Sequence, residues 1–476
     1  MITLVLILLP LVVSLLLFTH AFGRHSRWIA TGTSVAEFAL GLFAWHCFTS
    51  GGCNLSLDLP WLGTAVSLSL GMDGISLLLV MLTTFLVPVI LAASFNHEYS
   101  KKPFFPGLVL LMQAALIGVF TSHDGLLFYV FWELALIPIY FIAALWGGAD
   151  RIRITIKFFI YTLAGSLFML VALIYLYTKT AIPHSFSITA LTSVALNPQQ
   201  QLFVFWAFFL AFAIKIPIFP LHTWQPDTYT VAPAAGTMLL AGIMLKMGLY
   251  GLIRFILPVY SPELYSSFLI AFGLSVTGLL YASFIALKQK EIKRLFAYSS
   301  MGHVGLIAAA LFSRTTAGME GAMFQMLAHG VNVVGLFYLA DLLERRTGTT
   351  DMAALGGLAR SMPRFAVFTM IMMLAAIGLP LTNSFVGEYL MITGIFSWNP
   401  WLAALAGLSI ILGAVYMLRF YQHTFYGEAR HENNFADLNL TEMLTLTPLL
   451  IMVFWMGLAP GSFLRLAAPA LEYLVK

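Results

Sequence analysis

Apolar residues fall in blocks of about 20 along the whole chain, separated by short polar stretches. A hydrocarbon core about 30 Å thick takes roughly 20 such residues per helical crossing. Runs of this kind occupy 2–19, 28–48, 72–95, 105–121, 125–147, 154–178, 201–221, 232–256, 266–287, 294–312, 321–342, 366–396, 400–421 and 443–463. They predict an all-α polytopic membrane protein of fourteen transmembrane helices. The first run reads as a retained helix, because Arg24 and Arg27 follow it instead of preceding it as in a signal peptide. Composition removes the soluble alternative. The 476 residues are 60% hydrophobic and 9% charged, where a soluble domain has about 25% charged residues.

The basic residues set an orientation. Seventeen Lys and Arg, including Arg24, Arg151, Arg153, Lys293, Arg294 and Arg430, fall in one set of loops. Five, Lys179, Arg254, Arg314, Arg465 and Lys476, fall on the opposite side, which also carries both termini. In a bacterial inner membrane both termini are then expected on the periplasmic side. The formal net charge of +4 is too small to point to nucleic acid. Cys47 and Cys53 are the two cysteines, so no Cys-x-x-Cys pair exists for zinc or an iron–sulfur cluster, and their pairing with each other is open. No glycine-rich phosphate loop follows a strand-like run, so redox or ATP chemistry would need cofactors on another subunit.

Two lysines remain inside apolar runs, Lys215 in AFAIKIPIFP and Lys246 in LAGIMLKMGLYG, with Glu133 in FYVFWELALIPIY and Glu388 in TNSFVGEYLMITG as acidic counterparts. Each costs about 2.5–3.5 kcal/mol at a helix centre on insertion scales unless it faces the protein interior. Snorkelling to the interface is the ordinary fate of an isolated membrane lysine, but Lys246 lies about 21 Å along its helix at 1.5 Å per residue. Proline adds to the pattern. Pro138, Pro217 and Pro380 each remove a backbone donor close to one of these charges, and unwound backbone at membrane depth is tolerated where it is buried or lines a water-filled cavity. His303 and His329, with Ser299 and Asn332 one turn away, extend the polar line; interhelical hydrogen bonding is their plainer reading. Glu37 is also mid-span, without a proline or partner in view. Breaks in the seventh and twelfth runs, five apart, match two inverted five-helix repeats. The expected organisation is a three-helix segment over 1–104, one repeat over 105–256, the inverted repeat over 266–421, and a loop with a last helix over 422–476.

The segments MDGISLLLVMLTTFLVPV, FWELALIPIYFIAALWGG, FFIYTLAGSLFML, AFAIKIPIFPLHTWQPDTYTVAPAAGTMLLAGIMLKMGLYGLIRF, QKEIKRLFAYSSMGHVGLI and GLPLTNSFVGEYLM resemble the antiporter-like membrane subunits of respiratory complex I, NADH-quinone oxidoreductase. The resemblance covers about residues 70–460. Glu388, where sister subunits carry lysine, points to the M-type branch of the family, called chain 4 in mitochondria. Three positions depart from it: Tyr229 stands for a histidine, Val231 for an acid, and Leu381 for a glycine after Pro380.

The resemblance implies a proton-translocating subunit whose energy comes from NADH oxidation and quinone reduction elsewhere in the complex. FMN, iron–sulfur clusters and quinone would sit on partner subunits, with no cofactor or metal on this chain. The expected partners are the N-type and L-type antiporter-like subunits, the lateral helix of the L-type subunit, and lipids. It implies Glu133 and Lys215 as an interacting pair, Lys246 as the central proton carrier, His303 and His329 as relays, and Glu388 as the distal group toward the exit. The competing readings are a subunit of a multisubunit Na+/H+ antiporter or membrane-bound hydrogenase of the same fold, and a structural scaffold in which the buried charges are silent.

Overall fold

The computed structural model describes residues 1–19, 22–62, 66–428 and 435–475; Arg430 and Lys476, counted among the loop charges, lie outside them. The long helices are α1 (Ile2–Phe18), α2 (Ser26–Ser50), α3 (Gly74–Ser94), α4 (Phe104–Thr121), α5 (Gly125–Trp146) and α6 (Arg151–Lys179). They continue with α7 (Pro198–Lys215), α8 (Trp224–Val231), α9 (Ala234–Ile256), α10 (Tyr265–Ala286), α11 (Ile292–Phe312) and α12 (Thr316–Thr347). The chain ends with α13 (Pro363–Ala376), α14 (Asn383–Trp398), α15 (Pro400–Phe425), α16 (Leu440–Leu458) and α17 (Gly461–Val475). Among the described residues ten helices are long and apolar enough to cross a membrane, and α1 and α13 are shorter apolar helices.

Helix starts follow local chemistry. Asp73, Asp124, Glu291, Thr315 and Asn399 each accept a backbone N–H of the first turn, while Asn197 with Gln200 and Asn439 with Glu442 form reciprocal capping boxes. The long α12 ends on Gly348 at φ 75°, the left-handed position that glycine takes without steric cost.

Helices divide by what covers them. The apolar stretch of α12 is wholly buried and those of α3, α4, α9 and α11 nearly so, whereas α5, α6, α10, α15 and α16 keep half or more of theirs exposed. The exposed residues are apolar, for example Ile160, Val171, Phe284 and Ile411. The polar residues Gln113, Gln325, Asn332 and Asn383 are buried inside. This is the distribution that lipid selects, because hydrocarbon offers no partner to a polar group.

Four features lie outside the expected run of spans. Leu57–Leu62 and Val66–Leu70 form an antiparallel hairpin, β1 and β2, so the chain is not wholly helical. Cys47 at the end of α2 is disulfide-bonded to Cys53 ahead of β1. The last run, 443–463, ends at Leu458, and α17 follows as a separate helix packed on α3 and α12. Arg254, counted as a loop charge, sits in the last turn of α9 and pairs with Asp73 at 2.6 Å.

Candidate functional site

Both proline-rich runs are broken helices. α7 stops at Lys215 and the chain resumes as α8 at Trp224. The carbonyl of Ala213 accepts the Ile218 N–H and that of Ile214 accepts the Trp224 indole N–H at 2.8 Å, so the break leaves these groups satisfied. The twelfth run splits into α13 and α14 around Pro380. Gly378 takes φ 72° there, and a Cβ on it would stand 2.4 Å from Glu388 Oε2. Only glycine allows the Glu388 carboxyl to lie against the break.

Lys246 sits on α9 between two wide π-helical turns, Leu240–Met244 and Leu252–Ile256. Such turns recur at functional sites because they re-aim side chains and loosen the backbone ladder. The Lys246 ammonium is fully buried and donates to the Ala241 carbonyl at 2.7 Å, inside the first wide turn. It also lies 2.9 Å from His329 Nδ1. The other ring nitrogen of His329 lies 3.0 Å from the Ser300 hydroxyl.

The rings of His329 and His303 are 5.9 Å apart. His303 places Nδ1 2.8 Å from the Ser299 carbonyl and Nε2 3.0 Å from the Ala376 carbonyl. A neutral imidazole has one N–H to offer; the imidazolium fills both acceptors. Glu388 Oε1 lies 3.5 Å from the same Nε2. Lys246, His329, His303 and Glu388 thus form one line from α9 across α12 and α11 to α14.

Two small cavities flank His303. One is bounded by Ser299, Ser300, His329, Asn332 and Ser384, the other by Ser283, Glu388, Ser409 and Tyr416. Each has a volume of about 20 Å³, enough for a single water with polar partners. Around them Asn332 donates to Asn383 Oδ1 at 3.1 Å and to Ser384 Oγ at 2.9 Å, and Tyr416 donates to Ser299 Oγ at 3.1 Å. Ser300, Asn383, Ser384 and Tyr416 escape a reading of the sequence for charges, since serine, asparagine and tyrosine are unremarkable in any one membrane helix. The one signal in the sequence is that Asn383 and Ser384 stand just after Pro380.

Lys215 and Glu133 are placed differently. The Lys215 ammonium is buried without a hydrogen-bond partner, 5.4 Å from the centre of the Trp132 ring. Glu133 is half-buried on α5, and its Oε1 is also unpartnered. No hydrogen bond from the Lys215 ammonium reaches Glu133. Glu37 lies apart, fully buried on α2 with neither carboxyl oxygen hydrogen-bonded. Among the described residues no cluster of three His, Cys, Asp or Glu side chains has the arrangement of a metal site.

A helical membrane fold with these broken helices places the chain in the antiporter-like class of membrane subunits. The chain belongs to the NADH:quinone oxidoreductase/Mrp antiporter membrane family: that family's model matches residues 122–413, and the model for the amino terminus of NADH-ubiquinone oxidoreductase chain 4 matches residues 1–119. NADH-quinone oxidoreductase subunit M of Rickettsia felis is 42% identical over 85% of this chain and 82% of its own length. Subunit M of Rhodobacter capsulatus is 37% identical over 96% and 91%. Among solved structures, a chain of respiratory complex I from Thermus thermophilus superposes with a TM-score of 0.91 at 33% identity, covering 100% of this chain and 99% of that one.

Proposed function

We propose that this chain is a membrane subunit of an NADH-quinone oxidoreductase and that it moves protons across the membrane along the buried line from Lys246 to Glu388. The observation that carries the reading is the 2.9 Å contact between Lys246 and His329, continued through His303 to a carboxyl at a helix break. In the loaded state the Lys246 ammonium passes a proton to His329 Nδ1 as Nε2 releases one to the Ser300 hydroxyl. The cavities on either side of His303 give water a place to carry it to His303 and on to Glu388.

Lys215 controls the loading step in this reading. A second ammonium raises the cost of charge on Lys246, and an opposite charge on Glu133 holds Lys215 away from it. Movement of Lys215 toward Lys246 expels the proton; return to Glu133 restores its affinity. Each charge moved against the membrane potential costs about 2.3 kcal/mol per 100 mV. Quinone reduction on partner subunits, which hold the FMN and iron–sulfur clusters, supplies it.

The same reading takes the helices as fourteen crossings with two inverted five-helix repeats, supported by the breaks at α7/α8 and α13/α14. It takes the basic loops as cytoplasmic and the termini as periplasmic, in contact with N-type and L-type sister subunits and the L-type lateral helix. Lys246→Ala in the assembled complex tests the function. Proton translocation per NADH oxidised is expected to fall with the complex intact, and unchanged translocation would overturn the role of Lys246.

A further inference from the structure

A groove of about 640 Å³ opens on the side of the molecule where α2, α3, α12 and α16 meet. Its walls are almost entirely apolar and no acidic side chain lines it. Leu42, Ile451 and Trp455 on its rim are 46–59% exposed, so it opens sideways into the bilayer.

Its depth is the informative quantity. On α2 it runs from Phe38, at the middle of the helix, to Thr49 at the end, about 16 Å at 1.5 Å per residue. On α3 it runs from Leu78 near the start to Phe85 at the middle, and on α16 from Pro448 at the middle to Trp455 near the end. Three helices therefore agree that it starts at the membrane surface and stops at the midplane, the half-thickness of a core about 30 Å deep. A helix of another subunit would continue through the second leaflet, so the groove does not match one.

The mouth is polar. His46, Thr49 and Ser462 line it, and Arg465 follows Ser462 by three residues on α17, on the same helical face. Hydrogen-bond donors with one cation suit a phosphate, and Trp45 and Trp455 beside them are the residues that favour the headgroup level.

We infer that this groove is a binding site for one phospholipid of the leaflet opposite the basic loops, with an acyl chain along α2 and the phosphate at His46, Ser462 and Arg465. The site lies apart from the Lys246 line and stands whether or not that line carries protons. The test uses the assembled complex in vesicles of phosphatidylcholine and phosphatidylglycerol, with a photoreactive diazirine midway along one tail of the phosphatidylglycerol and adducts mapped by mass spectrometry. Adducts are expected to concentrate on the peptides holding Phe38, Phe85 and Pro448, above the level on the lipid-facing residues Ile160 and Val171 of α6. Leu42→Trp, at an exposed position, is expected to lower the groove adducts at least fivefold and leave the α6 adducts unchanged. Groove labelling no denser than that of α6 would overturn the site, as would groove labelling that Leu42→Trp leaves intact.

Discussion

Leu381 stands where a strained backbone meets the proposed proton exit. Its φ is 76°, a region that costs a residue with a Cβ about 1–2 kcal/mol. The family resemblance gives glycine as the usual residue there. Its side chain is 63% exposed, so little packing is lost on truncation. Leu381→Gly is expected to stabilise the protein by about 1 kcal/mol or slightly less, glycine's extra unfolded-state entropy offsetting part of the gain. A rise in thermal unfolding temperature checks this, and a fall would mean that the leucine is not strained. Ser300 offers a second test at this scale. Ser300→Ala removes a hydrogen bond to His329 worth about 1 kcal/mol, so proton translocation is expected to slow about fivefold, and rescue by Thr would separate a hydroxyl relay from a packing role.

Residues of these two kinds differ in how far the sequence reveals them. Lys215, Lys246, Glu133 and Glu388 stand out because charge inside an apolar run carries a cost that nothing local offsets. Ser300 and Ser384 carry no such cost, because a membrane helix can satisfy a hydroxyl on its own backbone, as Thr83 and Thr121 do here. Their part depends on which helices meet, and the sequence does not display that.

Among the elements, the broken helices are legible from their prolines and the β1–β2 hairpin is not. Its alternation in LSLDL and VSLSL is a period-two pattern, too short to stand out beside apolar runs of about 20 residues. The hairpin leads into Asp73, the cap of α3. Burial alone would raise this carboxyl, but the Arg254 guanidinium and the hydrogen bonds from Arg254 and Ser76 outweigh it and hold the group below its usual range. A carboxyl depressed in the folded state stabilises the fold above its unfolded pKa, near 4, and that contribution is lost as pH falls through the lower folded value. Thermal stability is therefore expected to drop on acidification below about pH 4, and Asp73→Asn is expected to lower stability at neutral pH and flatten that acid slope. An unchanged slope in the variant would remove Asp73 as its source.

Across the whole molecule, orientation is the property most easily checked. The Cys47–Cys53 disulfide lies at the end of α2 with the β1–β2 hairpin, away from the basic loops. Disulfides persist in the oxidising periplasm and are rare in the cytosol, so the proposed orientation, with this end of α2 on the periplasmic side, can be tested at the two cysteines. In right-side-out spheroplasts, a membrane-impermeant reductant followed by an impermeant maleimide is expected to label Cys53, which is exposed while Cys47 is buried. Labelling confined to inverted vesicles would reverse the topology.

The full burial of α12 bears on how the protein is made. This helix carries Gln325 and Asn332 in buried positions, and their side-chain partners Asn383 and Ser384 lie on α14, which emerges later from the ribosome. Until it arrives, these two amides lack those partners. A chain halted soon after residue 347 therefore leaves two buried amides unpaired, and insertion of α14 is the step that completes them.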